Sequence, residues 1–399
     1  MWEQIRSNQT RSVILVAAMG ILLLLVGYAL GLAFGSGIAG LVIALVVWFF
    51  MNLIAYFQGD SILLAMSRAI KIGPDDHPRL YNVVEEMKIA SGLEKIPDVY
   101  IIDDPALNAF ATGRDPKKAS VAITSGLLEK LNRDELQGVI GHEVSHIKNR
   151  DVLLMTMCSI LLGTIVILAW YGSRALLFSG GNTRRSSKGG GQAQLIIFAV
   201  AIILMILAPI FAQLIYFAIS RKREYLADAS SAQYTRYPEG LASALEKIGA
   251  STYQLRTANQ ATAPMYISNP FRKRSGAPTD LTSTHPPVQE RIRILRAMAG
   301  ASYADYERAY LQSHKAGGRV MPASALTAGA VGLRSAQPEA ALGAPEPSRL
   351  ERTREVGDLL WQKSGYRIID CGCGTRLKVP ANLGRVSVKC PHCGKTHNI

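Results

Sequence analysis

Four stretches of this 399-residue chain contain no Asp, Glu, Lys or Arg: residues 12–34, 38–57, 152–171 and 195–219. Each runs for about 20 residues or more, and a helix of about 20 residues crosses a hydrocarbon core. One uncharged run could be a buried core helix, but four in one chain exclude an ordinary soluble protein. Charge is sparse throughout, at 19% Asp, Glu, Lys and Arg, while 49% of residues are hydrophobic. The mean hydropathy of +0.15 comes from apolar residues concentrated in those runs. The first run is followed by the second after only Gly35, Ser36 and Gly37. The pair therefore reads as a hairpin of two spans and not as a cleaved leader.

Acidic residues are also scarce, 30 against 44 Lys and Arg, which leaves a net charge of +14. That balance suits a chain lying against anionic lipid, so a lipid bilayer is the first expected partner. Nucleic acid is disfavoured, because Arg6, Arg11, Arg68, Lys71, Lys148, Arg150, Arg221, Lys222 and Arg223 flank the apolar runs and do not gather on a soluble domain. Positive charge before the first run and after the second places the N-terminus and the central region in the cytoplasm. Arg174, Arg184, Arg185 and Lys188, between the third and fourth runs, go against that rule. Either this loop lies outside against its charge, or the second hairpin does not fully cross.

The expected organisation is a transmembrane hairpin (1–57), a first part of a soluble domain (58–151), a second hairpin (152–219) and a second part (220–315). An Ala-, Gly- and Pro-rich flexible linker (316–348) and a small cysteine module (349–399) follow. Within the first part, helical continuation is expected over 60–71 and an amphipathic helix over 77–91, from the spacing of Leu80, Val83, Val84 and Met87. Strands are expected over 97–102, 107–112 and 120–124. A helix capped by Asp134 then runs through His146.

That helix carries His142-Glu143-Val144-Ser145-His146. Histidines at i and i+4 share one helical face, so both can reach a single zinc ion, while Glu143 sits beside the metal and can act as general base on a water. The pattern also occurs by chance in unrelated helices. Here it falls at the end of a soluble unit, next to a membrane run. A catalytic zinc takes a third protein ligand, and Glu224, just after the fourth run, is the best candidate. Asp228 follows one turn later, placed to accept a hydrogen bond from a ligand histidine. Lys222 and Arg223 are expected to point away from that face. To share one ion, His146 and Glu224 must lie on the same side of the membrane, so the chain between them crosses an even number of times.

These residues resemble the HtpX-like membrane zinc metallopeptidases, a family related to the CAAX prenyl endopeptidases. The resemblance covers roughly residues 1–300. It rests on Asn108-Ala109-Phe110-Ala111-Thr112-Gly113, the HExxH at His142, Asn149-Arg150-Asp151, Glu224-Tyr225-Leu226-Ala227-Asp228 and Thr284-His285-Pro286-Pro287, in that order. It implies an α-helical membrane protein with four transmembrane helices and a mainly α (α+β) gluzincin-type metallopeptidase domain. It also implies zinc on His142, His146 and Glu224, with Glu143 as base. The segment Asn108 to Gly113 becomes an edge strand that pairs with substrate main chain, although its composition fits a plain buried strand as well. His285 either donates to the oxyanion or caps the helix that follows.

Cys371, Cys373, Cys390 and Cys393 form two close pairs around a β-like stretch. This is a zinc-ribbon arrangement holding a second, structural ion. Two disulfides are the alternative, which a cytoplasmic tail disfavours. Cys158 reads as membrane-helix packing. The combined expectation is a multi-pass protease of the cell (inner) membrane, with its catalytic domain and tail in the cytoplasm. Its substrates would be protein or peptide chains, and the resemblance points to damaged or misassembled membrane proteins. A prenyl-protein processing peptidase and a non-catalytic scaffold that recruits partners through its ribbon are the rivals. Oligomeric state is left open.

Overall fold

The computed structural model describes residues 2–179, 191–258, 262–270, 285–314, 318–327, 329, 331–335, 345–383 and 387–398. Two long helices open the chain, α1 (Trp2–Ala33) and α2 (Gly37–Met66). Glycine lets them cross closely: a Cβ on Gly40 would lie 2.2 Å from the Gly27 carbonyl oxygen. After α2 come strand β1 (Ala69–Ile72), helix α3 (Pro78–Ser91), and strands β2 (Asp98–Ile102), β3 (Ala109–Gly113) and β4 (Ala119–Thr124). The helices α4 (Ser125–Lys130), α5 (Arg133–Lys148), α6 (Asp151–Ser179), α7 (Gly191–Thr235) and α8 (Pro238–Ala250) follow, then α9 (Val288–Arg296), α10 (Tyr303–Ser313) and α11 (Ala323–Leu326). The tail holds helix α12 (Arg349–Lys363) and strands β5 (Tyr366–Asp370), β6 (Arg376–Pro380), β7 (Ser387–Lys389) and β8 (Thr396–Asn398).

Among the described residues, four helices are long and apolar enough to cross a membrane: Val13–Ala33, Gly37–Met66, Asp151–Phe178 and Leu195–Leu214. Their facing sides form one apolar cluster that includes Leu23, Val26, Leu162, Ile165 and Ala208. Outward faces carry Ile38, Val42, Phe49, Phe178 and Leu195 exposed, as a lipid-facing surface must. The Gly- and Arg-rich loop with Arg184, Arg185 and Lys188 lies outside the described residues, as do Thr284 and the ribbon's Arg385.

The soluble core is a four-stranded sheet in the order β1-β2-β4-β3, with β3 at one edge, antiparallel to β4. The helical continuation expected over 60–71 is present in its first part, and strand β1 takes its last residues. Helix α2 stops at Met66, Arg68 takes a left-handed φ of 52°, and Ile70 pairs with Ile101 of β2. The three expected strands are present. Helices α3, α5, α7, α8 and α9 pack with the sheet around one continuous core.

The segment 316–348, expected as a flexible linker, is pinned to the body at several of its described residues. Met321 and Ala325 are buried in the main core. The Val320 and Met321 amides donate to Glu307, and Arg334 donates to the Thr235 carbonyl and to Asp134. Alanine-rich sequence with little periodicity can still be pinned when single side chains find buried partners. Helix α12 also belongs to this body and not to a separate module, because Val356 and Leu359 are buried in the same core. Strands β5 to β8 form two hairpins around a small apolar cluster of their own, with Arg376 and Lys378 of β6 paired to Asp358 of α12.

Burying a Val, Leu or Met side chain contributes roughly 1.5–3 kcal/mol. Deleting residues 365–399 should therefore leave the thermal midpoint of the detergent-purified protein within a few degrees. Deleting 316–399 removes Met321, Val356 and Leu359 from the core and should lower it clearly. Equal midpoints for the two deletions would show that the packing of 316–363 contributes nothing.

Candidate active site and metal centre

Helix α5 begins at a capping box: Asn132 accepts from the Glu135 amide and Glu135 accepts from the Asn132 amide. The cap is Asn132, two residues before the Asp134 expected from sequence. From there the register brings Gly138 against α8, where a Cβ would sit 2.6 Å from the Leu241 nitrogen. It also brings Gly141 against α7, where a Cβ would meet Ser231 Oγ at 3.0 Å. These contacts draw α7 close to the next residue, His142.

The two histidines project together, with their Nε2 atoms 3.2 Å apart. Glu224, on α7, closes the triangle: Oε2 is 3.5 Å from His142 Nε2 and Oε1 is 3.5 Å from His146 Nε2. All three side chains are buried. Ligands held about 2.0–2.1 Å from a tetrahedral zinc ion stand about 3.3–3.4 Å apart, so this nitrogen–nitrogen–carboxylate set fits zinc.

Behind the triangle sits a ring of partners. His142 Nδ1 lies 3.0 Å from Asp228 Oδ1, and His146 Nδ1 lies 3.4 Å from Asp151 Oδ2. Each imidazole therefore has a carboxylate on the ring nitrogen that faces away from the triangle, which sets its orientation. Asp228 is held in turn by Arg291, whose Nε and Nη2 donate at 2.8 and 2.6 Å. Arg291 is fully buried and also donates to the Ile267 carbonyl. Sequence reasoning missed it. The signal available was an arginine on the apolar face of α9, between Val288, Ile292 and Leu295.

Arg223 corrects an expectation. It does not point away into solvent; it is buried, with Nε 3.7 Å from Asp151 Oδ1. Adjacent helical residues differ by about 100°, and the start of α6 covers the sector beside Glu224.

The electrostatics follow from burial and these neighbours. Burial raises the Glu143 pKa, and the Glu224 charge adds to it against the two histidines. Burial also acts to raise Glu224, but His285, His142 and His146 hold it well below the usual carboxylate range. Burial opposes a charge on His146, yet Asp151 and Glu224 push its pKa up to about 10. A field that draws a proton to that ring draws a metal cation too. His285 is pushed down to about 4, mainly by burial. Its Nε2 stands 3.8 Å from Glu224 Oε2, so it borders the triangle.

Strand β3 passes the same site as the sheet edge. Asn108 Nδ2 donates to the Ser268 carbonyl, and the Ile267 amide donates to the Ala109 carbonyl. Ile267 thus ties the strand to Arg291, and through Arg291 to Asp228 and His142.

Residues 74–299 match the model of peptidase family M48. A protease HtpX homolog from Dictyoglomus thermophilum is 46% identical over 297 residues, 74% of this chain and 94% of its own length. The chain belongs to peptidase family M48. Protease HtpX homologs from Thermoanaerobacter pseudethanolicus and Streptococcus uberis are 43% and 40% identical, each over 75% of this chain. The crystal structure of S. mikatae Ste24p covers 74% of this chain at a TM-score of 0.40 and 20% identity, too distant to add to the assignment. Membership makes the chain a membrane metallopeptidase of a zinc-dependent family, acting on protein or peptide chains. The non-catalytic scaffold alternative falls with it.

The four tail cysteines, Cys371, Cys373, Cys390 and Cys393, lie outside the residues matched to M48. Their sulfurs gather within 4.8 Å, with Cys371 3.4 Å from Cys393 and Cys373 3.7 Å from Cys390. Thiolates about 2.3 Å from a tetrahedral zinc stand about 3.8 Å apart, so this set also fits. Gly374 and Gly394, at φ of 84° and 75°, turn the chain after each pair.

Glu224→Ala is expected to remove catalytic zinc as severely as His142→Ala. Asp228→Ala should weaken binding about 10–100-fold, as for a group that orients a ligand. Arg223→Ala should weaken it too, by less, through Asp151. Chelator-competition titrations report each affinity. Full occupancy in Glu224→Ala would remove Glu224 from the ligand set.

Proposed function

We propose that the chain is a zinc-dependent endopeptidase in which His142, His146 and Glu224 hold the ion and Glu143 is the general base. The observation that carries this reading is Glu143. Its carboxylate is buried one residue from His142, and neither oxygen has a hydrogen-bond partner. Burying an unsatisfied acceptor costs about 1–3 kcal/mol. Such a group persists where its partner is the reacting molecule.

When bound, zinc supplies a Lewis acid that polarises the scissile carbonyl and makes a water acidic enough to attack near neutral pH. The rest falls to the protein's own groups. Glu143 takes the proton from the attacking water and returns it to the departing amine. His285, at the border of the triangle, donates to the oxyanion that develops. Asp228 and Asp151 keep the two imidazoles turned inward, and Arg291 offsets the buried charge of Asp228. Strand β3, Asn108 to Gly113, holds the substrate backbone in extended form.

In this reading the domain and tail face the cytoplasm of the inner membrane, and the substrates are damaged or misassembled membrane proteins. The basic residues flanking the first hairpin support that side. The four tail cysteines fit it too, because four thiols placed to share one ion suit a reducing compartment.

Glu143→Gln tests the chemistry. It keeps shape and ligands, so zinc content should stay at the wild-type level while peptide hydrolysis falls by about 10²–10⁴-fold. Chelation should abolish wild-type hydrolysis, and zinc should restore it. Near-normal turnover in zinc-loaded Glu143→Gln would refute the base assignment.

A further inference from the structure

At the joint between the peptidase body and the tail, buried arginine is short of acceptors. Arg79 stands in the first turn of α3, and its side chain is only 10% exposed. Its Nη2 donates to the Leu128 carbonyl of α4, but Nε and Nη1 are buried and meet no hydrogen-bond partner. Arg133, at the start of α5, pairs with Glu86 through Nη2, and its buried Nε is also without a partner. Burial lowers the Arg79 pKa; Arg352 and Arg133 push the same way, and Glu355 and Glu346 offset them only in part. Leaving a buried charged donor unpaired is costly, so such groups persist where a ligand completes them.

Both arginines line one cavity of about 1190 Å³, closed on its other side by Pro345, Pro347, α12 and the first cysteine turn. Arg354 of α12 adds a third guanidinium. Five carboxylates line the cavity too, but four are engaged elsewhere. Glu346 accepts from the Arg133 amide, and Glu351 accepts from the Ser348 amide in the capping box of α12. Asp358 pairs with Arg376 and Lys378, and Asp370 pairs with Arg376. The fifth, Glu355, stands 3.9 Å from Arg79 Nε, beyond hydrogen-bond reach. The wall is thus supplied with donors and short of acceptors.

We propose that this cavity binds a small phosphate-bearing anion, held by Arg79 and Arg133 with Arg354 at its mouth. Guanidinium forks match phosphate oxygens in pairs, and a dianion answers two arginines at once. The cavity has room for a phosphate ester as well as for the free ion. Arg133 opens the helix that carries His142, while Arg354 belongs to the tail, so the ligand fastens the tail to the catalytic helix. The site lies apart from the metal triangle and does not depend on the peptidase reading.

Thermal midpoints of the full-length, detergent-purified protein, followed against inorganic phosphate in a phosphate-free buffer, test this. A saturable rise is expected with phosphate and not with potassium chloride at matched ionic strength. Arg79→Gln should raise the half-saturating concentration by at least about 10-fold, as for a lost charge-assisted contact. Arg354→Gln changes an exposed position, so it should fold normally and still weaken binding. Glu355→Gln should tighten binding, because it removes the carboxylate that competes for Arg79; a purely structural role for Arg79 gives no such opposite sign. Glycerol phosphate and adenosine monophosphate, titrated in the same way, separate a lipid headgroup and a nucleotide from free phosphate, and the tightest binder names the source. No saturable response to any of the three, or a wild-type response in both Arg79→Gln and Arg354→Gln, would overturn the inference.

Discussion

Glu224 is a buried carboxylate, and the site is arranged around keeping it ionised. Burying such a charge is tolerated only when opposite charges and hydrogen bonds replace the lost solvent. Here the replacements come from three separate elements: His142 and His146 from α5, His285 from the segment before α9, and Arg291 from α9 itself, 3.5 Å away. Each needs its own support, which accounts for the outer ring of Asp228, Asp151 and Arg223. Removing one member leaves a buried charge uncompensated, so the site is cooperative in structure as well as in chemistry.

The same carboxylate ties catalysis to the membrane. Helix α7 carries the fourth candidate span and continues without a break to Glu224 and Asp228. Helix α5 ends at Lys148, and the third span begins at Asp151, which itself contacts His146. All three proposed ligands are thus set by helices that continue into, or lead directly to, membrane spans.

The tail is joined by contacts of a different kind. Helix α12 buries Val356 and Leu359, and around them Lys363 reaches Asp76 and Arg352 reaches the Glu129 carbonyl. Exposed ion pairs contribute little, about 0–1 kcal/mol each. The apolar contact therefore carries the docking, while the polar pairs set its register. The two cysteine hairpins then extend from a helix that belongs to the peptidase body.

Local pattern determined whatever depends on neighbours in sequence. Uncharged runs of about 20 residues marked the spans, because hydrocarbon tolerates little charge. The i, i+4 spacing put His142 and His146 on one helical face, because the helix repeats every 3.6 residues. The four-residue step from Glu224 to Asp228 did the same on α7. Close cysteine pairs marked the second thiolate cluster. What depends on distant packing was not legible. Arg68 ends α2 and starts β1 because a partner strand waits at Ile101, and no residue near Arg68 encodes that partner. Residues 316–348 have linker composition, yet Arg334 finds Asp134 only once α5 and α7 are in place. Arg291 drew no notice and Arg223 looked like ordinary surface charge, since a charged side chain shows its role only when the folded chain decides which charges lose their water.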